Sequence, residues 1–266
     1  CNVEGSKRFA CSNDGCNYYY DESYSLDELS ATEIMESAKE YVGCITTYYP
    51  DGTVNKDATA IVLSSDGIIL TTYFALDHAS YATFTLGEKT YDIVEILAYD
   101  NNINLAVLKI DATDLTCATL CESNPVTGEK VYSIGNALGL SFAINEGIVS
   151  NASLDGGDVI YIHHNADLIS GFGGGPLVNR FGEVIGINVR RLEAGYTGVG
   201  FAIPINEAME LLDEIKARDG KILLSSDSHN AANLTVAFDA CIELLRANGF
   251  RSIVALGEGK FKEFGI

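Results

Sequence analysis

Gly171-Phe172-Gly173-Gly174-Gly175-Pro176-Leu177-Val178-Asn179, continued after Arg180-Phe181 by Gly182-Glu183-Val184-Ile185-Gly186-Ile187-Asn188, is the stretch whose reading decides the fold. Its two apolar runs, 176–180 and 183–190, read as strands with a turn between them.

The same rhythm extends outward. Cys44-Ile45-Thr46-Thr47-Tyr48-Tyr49 has a period of two, and Pro50-Asp51-Gly52 is a turn. Ala60-Ile61-Val62-Leu63, Ser64-Ser65-Asp66-Gly67 and Ile68-Ile69-Leu70 read as a β-hairpin. Further strands are predicted at 82–86, 90–97, 105–110, 130–134, 146–150, 158–163 and 198–203. Short strands so spaced, with 26 glycines against 4 prolines, point to a mainly β protein made of barrels. Helices flank them. Ser30 and Glu33 form a capping box, and Ile34, Ala38, Tyr41 and Val42 follow at helical spacing, which predicts a helix to about Tyr41. Asn206 to Lys216 sets Ala208, Leu211, Leu212 and Ile215 on one face. Residues 1–29 form a Cys- and Tyr-rich segment whose first 26 residues show no strong period and read as an irregular arm.

Five motifs, in order, carry a resemblance. They are Asn104-Leu105-Ala106-Val107-Leu108-Lys109-Ile110, Ile134-Gly135-Asn136-Ala137-Leu138-Gly139-Leu140, Gly147-Ile148-Val149-Ser150, the quoted stretch from Gly174 to Asn188, and Gly200-Phe201-Ala202-Ile203-Pro204. Together they make about 30–215 resemble the HtrA-type trypsin-like serine proteases. The resemblance implies two six-stranded antiparallel β-barrels, spanning 30–218, with the active site between them. It also implies work outside the cytoplasm or at the cell surface.

In such a site a serine attacks the peptide carbonyl, a histidine takes its proton, and a carboxylate orients the histidine. Matched to the family's motifs, the serine falls on Gly173, the aspartate on Asn104 and the histidine on Phe74, within Thr71-Thr72-Tyr73-Phe74-Ala75. Glycine has no nucleophile, asparagine does not neutralise an imidazolium, and phenylalanine carries no proton. The family's G-x-G-F reads Ala58-Thr59-Ala60-Ile61 here. His78, Ser170 and Asp100 lie near these positions in sequence, but all are displaced, and catalysis does not survive misplacements of that size. The sequence therefore predicts a pseudoprotease, not an enzyme: either a peptide-binding or scaffolding module with a peptide- or oxyanion-binding remnant at Gly171 and Gly173, or a degenerate cleft that binds nothing. An active serine endopeptidase or a metal-dependent hydrolase using relocated residues is the alternative.

The net charge of −20 repels phosphates, which argues against a nucleic-acid partner; it serves solubility alone or attracts basic peptides or cations. No apolar run approaches the roughly 20 residues of a membrane span. No cofactor is implied. Of the seven cysteines at least one is unpaired within the chain. Cys1 suits the lipidated first residue of a lipoprotein and equally an arbitrary boundary. His163 and His164 adjoin in a strand, so they point to opposite faces and do not readily share a metal. Residues 221–266 read as a small βαβ appendage: a strand at Ile222–Leu224, a helix over about Ala231–Asn248 and a strand at Ser252–Leu256. Leu224-Ser225-Ser226-Asp227-Ser228-His229 and the helix's Ala-Asn-Gly-Phe end resemble the last segment of histidinol-phosphatase-type PHP proteins. That resemblance makes Asp227 and His229 metal candidates, yet two ligands do not make a polymetal site, so no metal is expected.

Overall fold

Ser30 starts the first helix as its capping box requires: its Oγ accepts from Glu33 N at 3.3 Å, and its N donates to Glu33 Oε2 at 2.8 Å. A computed structural model describes residues 4–10, 19–25, 28–121, 123–137, 141–157, 159–189, 199–217, 252–257 and 260–265. The helix, α1 (Ala31–Ala38), is shorter than predicted. Tyr41 is buried beside the start of the first barrel strand at Val42, so the last apolar positions serve the sheet and not the helix.

The first barrel is built from β3 (Val42–Tyr48), β4 (Val54–Val62), β5 (Ile68–Thr71), β6 (Tyr81–Leu86), β7 (Lys89–Asp100) and β8 (Leu105–Ile110). It closes in the order β3-β4-β5-β8-β7-β6, every pair antiparallel. A one-turn helix, α2 (Tyr73–Leu76), follows β5. The second barrel comprises β9 (Lys130–Ala137), β10 (Ser141–Asp155), β11 (Ile160–His164), β12 (Pro176–Asn179), β13 (Val184–Val189) and β14 (Gly200–Pro204), closed as β10-β11-β14-β13-β12-β9. Closure leaves neither sheet with an unpaired edge.

The alternation read in the sequence is an alternation of burial. Along β3 the side chains of Ile45 and Thr47 are buried while Cys44, Thr46 and Tyr48 are half-buried. Ile45, Ile61, Leu70, Phe84, Leu105 and Leu108 fill the first core without exposure. Val131, Val149, Ile162, Leu177 and Ile185 form the second. Each such side chain contributes about 1.5–3 kcal/mol through burial. The segment between the barrels is tied to both: Ala118 N donates to Val62 O at 2.9 Å, and Cys121 N to Val184 O at 2.9 Å.

One expectation is corrected, and one gains a further strand. The N-terminal arm is not irregular: β1 (Glu4–Ala10) and β2 (Tyr19–Ser25) pair antiparallel over seven positions, with Lys7 opposite Glu22 and Arg8 opposite Asp21. Neither strand carries an apolar period, so a search along one strand does not find the pairing. In the tail, the strand predicted at 252–256 exists as β15 (Ser252–Gly257), but a further strand, β16 (Lys260–Gly265), returns antiparallel to it. The predicted strand at 222–224 and helix at 231–248 lie outside the described residues. The helix predicted over 206–216 is α3 (Ile205–Ala217). By contact density the chain divides into two compact units, Cys1–Leu212 and Asp213–Ile266.

Candidate functional site

A cavity of about 530 Å³ opens between the two barrels. The first barrel lines it with Lys56, Asp57, Phe74 and Asn104, and the second with Ile169, Ser170, Gly171 and Gly173. The three positions that the family resemblance marks as reactive therefore face one cleft.

Phe74 and Asn104 are joined directly. Phe74 N donates to Asn104 Oδ1 at 2.8 Å, and Tyr73 N to Asn104 O at 3.2 Å. Asn104 sits at φ 57°, the left-handed region that asparagine tolerates better than most residues. A side chain at 104 is thus aimed at the backbone of residue 74, where a carboxylate would orient a ring carried there. The ring present is phenyl, 42% exposed. Lys56 Nζ lies 4.0 Å over its centroid and donates to Phe74 O at 2.9 Å and Asp77 O at 3.1 Å. Asp77 Oδ2 completes the set at 3.4 Å. Lys56 was not singled out from the sequence, because its role arises from partners 18 and 21 residues away.

The glycine loop is locked onto the first barrel by Thr59, a fully buried residue of β4. Thr59 N donates to Gly173 O at 2.9 Å, and Thr59 Oγ1 donates to Gly171 O at 2.7 Å and accepts from Asn136 N at 2.9 Å. Asn136 Nδ2 in turn reaches Cys44 Sγ at 2.7 Å. Desolvation is the main cause that raises the Cys44 thiol's pKa. With the carbonyls of Gly171 and Gly173 turned to Thr59, their N–H groups enter no hydrogen bond among the described residues. Gly174 needs to be glycine. Its φ is 85°, and a Cβ there would fall 2.0 Å from Thr59 O. Gly173 has no positive φ.

The displaced candidates are not assembled. His78 is 80% exposed, does not line the cavity, and has Asp77 Oδ1 3.5 Å from its Nε2. Ser170 lines the cavity, but no hydrogen bond among the described residues joins it to His78. Asp100 Oδ1 accepts from Asn102 N at 2.7 Å and Ile103 N at 3.3 Å, so it serves its own turn. His163 and His164 face opposite ways: His163 stacks on Phe201 at 5.4 Å, whereas His164 is fully buried. Asp227 and His229 lie outside the described residues.

Comparison with known proteins gives three kinds of likeness. The family described as trypsin-like peptidase domain matches residues 58–187. A protein of Pseudomonas savastanoi pv. phaseolicola, named "Probable periplasmic serine endoprotease DegP-like", is 35% identical over 170 residues, covering 62% of this chain and 35% of its own length. A protein of the same name from Marinomonas sp. is 33% identical over 170 residues, covering 62% of this chain and 36% of its own length. The chain therefore spans about a third of the length of these relatives. A crystal structure of the serine endoprotease from Yersinia pestis superposes with a TM-score of 0.64 at 28% identity, covering 74% of this chain and 70% of that one.

Proposed function

We propose, from its likeness to the HtrA-type trypsin-like serine proteases, that the chain is a pseudoprotease of that family that holds extended peptide segments without cutting them. The observation that carries this is the set of side chains facing the cleft: Phe74, Asn104 and Gly173, where the family's chemistry needs His, Asp and Ser. Hydrolysis by that chemistry needs a nucleophile and a base in hydrogen-bond reach, and this cleft offers a phenyl ring, an amide and a hydrogen atom. The binding half of the apparatus has support of its own. The N–H groups of Gly171 and Gly173 are uncommitted among the described residues, and Phe74 and Ile169 expose apolar surface at the cleft. Extended segments bind such clefts through backbone hydrogen bonds and side-chain pockets.

Relocated catalysis is the competing function. It would need Ser170 brought to His78, which points into solvent beside Asp77. A site outside the cytoplasm fits the periplasmic naming of the relatives and the disulfide at Cys121, whose partner lies outside the described residues. Among the described residues no helix is long and apolar enough to cross a membrane.

The chain has no tryptophan, so Phe74→Trp places a single reporter in the cleft. Adding unfolded casein whose own tryptophans have been oxidised should shift the reporter's emission saturably while the casein stays intact on a gel. Intact casein with no shift would leave the cleft without a peptide ligand. Fragmented casein would refute the non-catalytic function itself.

A further inference from the structure

His164 on β11 is fully buried, and neither of its ring nitrogens has a hydrogen-bond partner. It packs so closely on Gly200 of β14 that a Cβ there would fall 2.3 Å from its Cε1. Asn188 of β13 is also fully buried, and its Oδ1 has no partner either. The Asn188 side chain and the backbones of Ala166 and Phe201 lie close enough to favour the charged ring, though none meets a ring nitrogen in hydrogen-bond geometry. Buried polar atoms are nearly always paired, so unpaired atoms on two neighbouring side chains need a reason.

The rest of Asn188 is committed to the glycine loop. Its N donates to Gly175 O at 2.8 Å, its O accepts from Gly174 N at 2.8 Å, and its Nδ2 donates to Pro176 O at 2.9 Å. These are the residues that directly follow Gly173 at the cleft. One side chain therefore connects the buried imidazole to the floor of the site.

We propose that protonation of His164 is a switch for the cleft: the imidazolium draws Asn188 Oδ1 into a hydrogen bond, and Asn188 carries Gly174, Gly175 and Pro176 with it. A neutral imidazole has one donor and one acceptor, whereas the charged ring has two donors. Asn188 Oδ1 is the side-chain acceptor beside the ring with no donor of its own. Around the ring, β10 sets Val149 opposite it, β13 supplies Asn188, β14 Gly200 and the Phe201 backbone, and the following loop the Ala166 backbone. His163 is the titratable neighbour acting on it among the described residues. Burial, then the charge of His163, lowers the ring's pKa to about 4, so the switch is off at neutral pH and turns on in acid. The coupling does not depend on which ligand the cleft takes.

Nuclear magnetic resonance of the isotope-labelled full chain from pH 7 to 3.5 tests this. The His164 ring should titrate below its ordinary range, and the Gly174 and Gly175 amide shifts should move with the same midpoint. Gly43, on the first barrel, should not follow. In His164→Gln the loop should lose that titration. The switch is overturned if the ring titrates while Gly174 and Gly175 stay still, if the loop titrates unchanged in His164→Gln, or if the whole chain unfolds before the ring charges. Should His164→Gln fail to fold, the two midpoints in the unaltered protein decide alone.

Discussion

A serine at 173 would meet no backbone penalty, because Gly173 has no positive φ. Its neighbour is different: Gly174 combines a φ of 85° with a carbonyl oxygen 2.0 Å from where a Cβ would lie. Gly173→Ser should therefore change stability by less than about 1 kcal/mol, whereas Gly174→Ala should cost about 3 kcal/mol through overpacking and left-handed strain. Urea unfolding of both variants checks this, and equal losses would contradict it. Gly173→Ser alone should also gain no peptidase activity, since Phe74 cannot accept the serine proton; turnover of a fluorogenic peptide by that variant would show another base at work. Thr59 is the other decisive residue. Its hydroxyl pairs with Gly171 O and Asn136 N in buried surroundings. Thr59→Val should cost about 3 kcal/mol, because two buried partners are left unpaired.

At the scale of elements, β11 carries a pH dependence. The His164 pKa is lowered in the folded chain to about 4, against an ordinary 6.5, mainly by burial. The unfolded chain therefore takes up the proton first. The stability that the neutral ring confers is complete above about pH 6.5 and is lost as the pH falls towards 4, up to about 3 kcal/mol. Urea midpoints measured from pH 7 to 4 should fall along this range, and His164→Leu should flatten that part of the curve. An unchanged slope in the variant would assign the loss to carboxylates elsewhere. The barrel strands were legible in two ways: β3 through a period of two that follows its burial, and β8, β12 and β13 as short apolar runs buried along almost their whole length. The pair β1–β2 was not, since neither strand carries an apolar period along its own residues. Phe74, Asn104 and Gly173 stood out through motifs, each local in the chain. Thr59 did not, because its hydroxyl meets Gly171 O across 112 residues of sequence, and no local pattern encodes a contact made only when two barrels meet.

For the molecule as a whole, two six-stranded antiparallel barrels enclose a cleft lined by Phe74, Asn104 and Gly173, and the proposed role of this cleft is to bind without cutting. Acidity adds a property of its own: with a net charge of −20, association with basic segments should be faster than with acidic ones and should weaken with salt. Stopped-flow mixing of the Phe74→Trp protein with lysine-rich and glutamate-rich peptides at two salt concentrations measures this, and equal, salt-independent rates would exclude a role for the field. The absence of peptidase activity is the central claim, and a fluorogenic casein assay on the purified, unaltered chain tests it most directly. The rate should equal that of the buffer blank. Turnover that disappears on His78→Ala or Ser170→Ala would contradict it and reveal a relocated catalytic site.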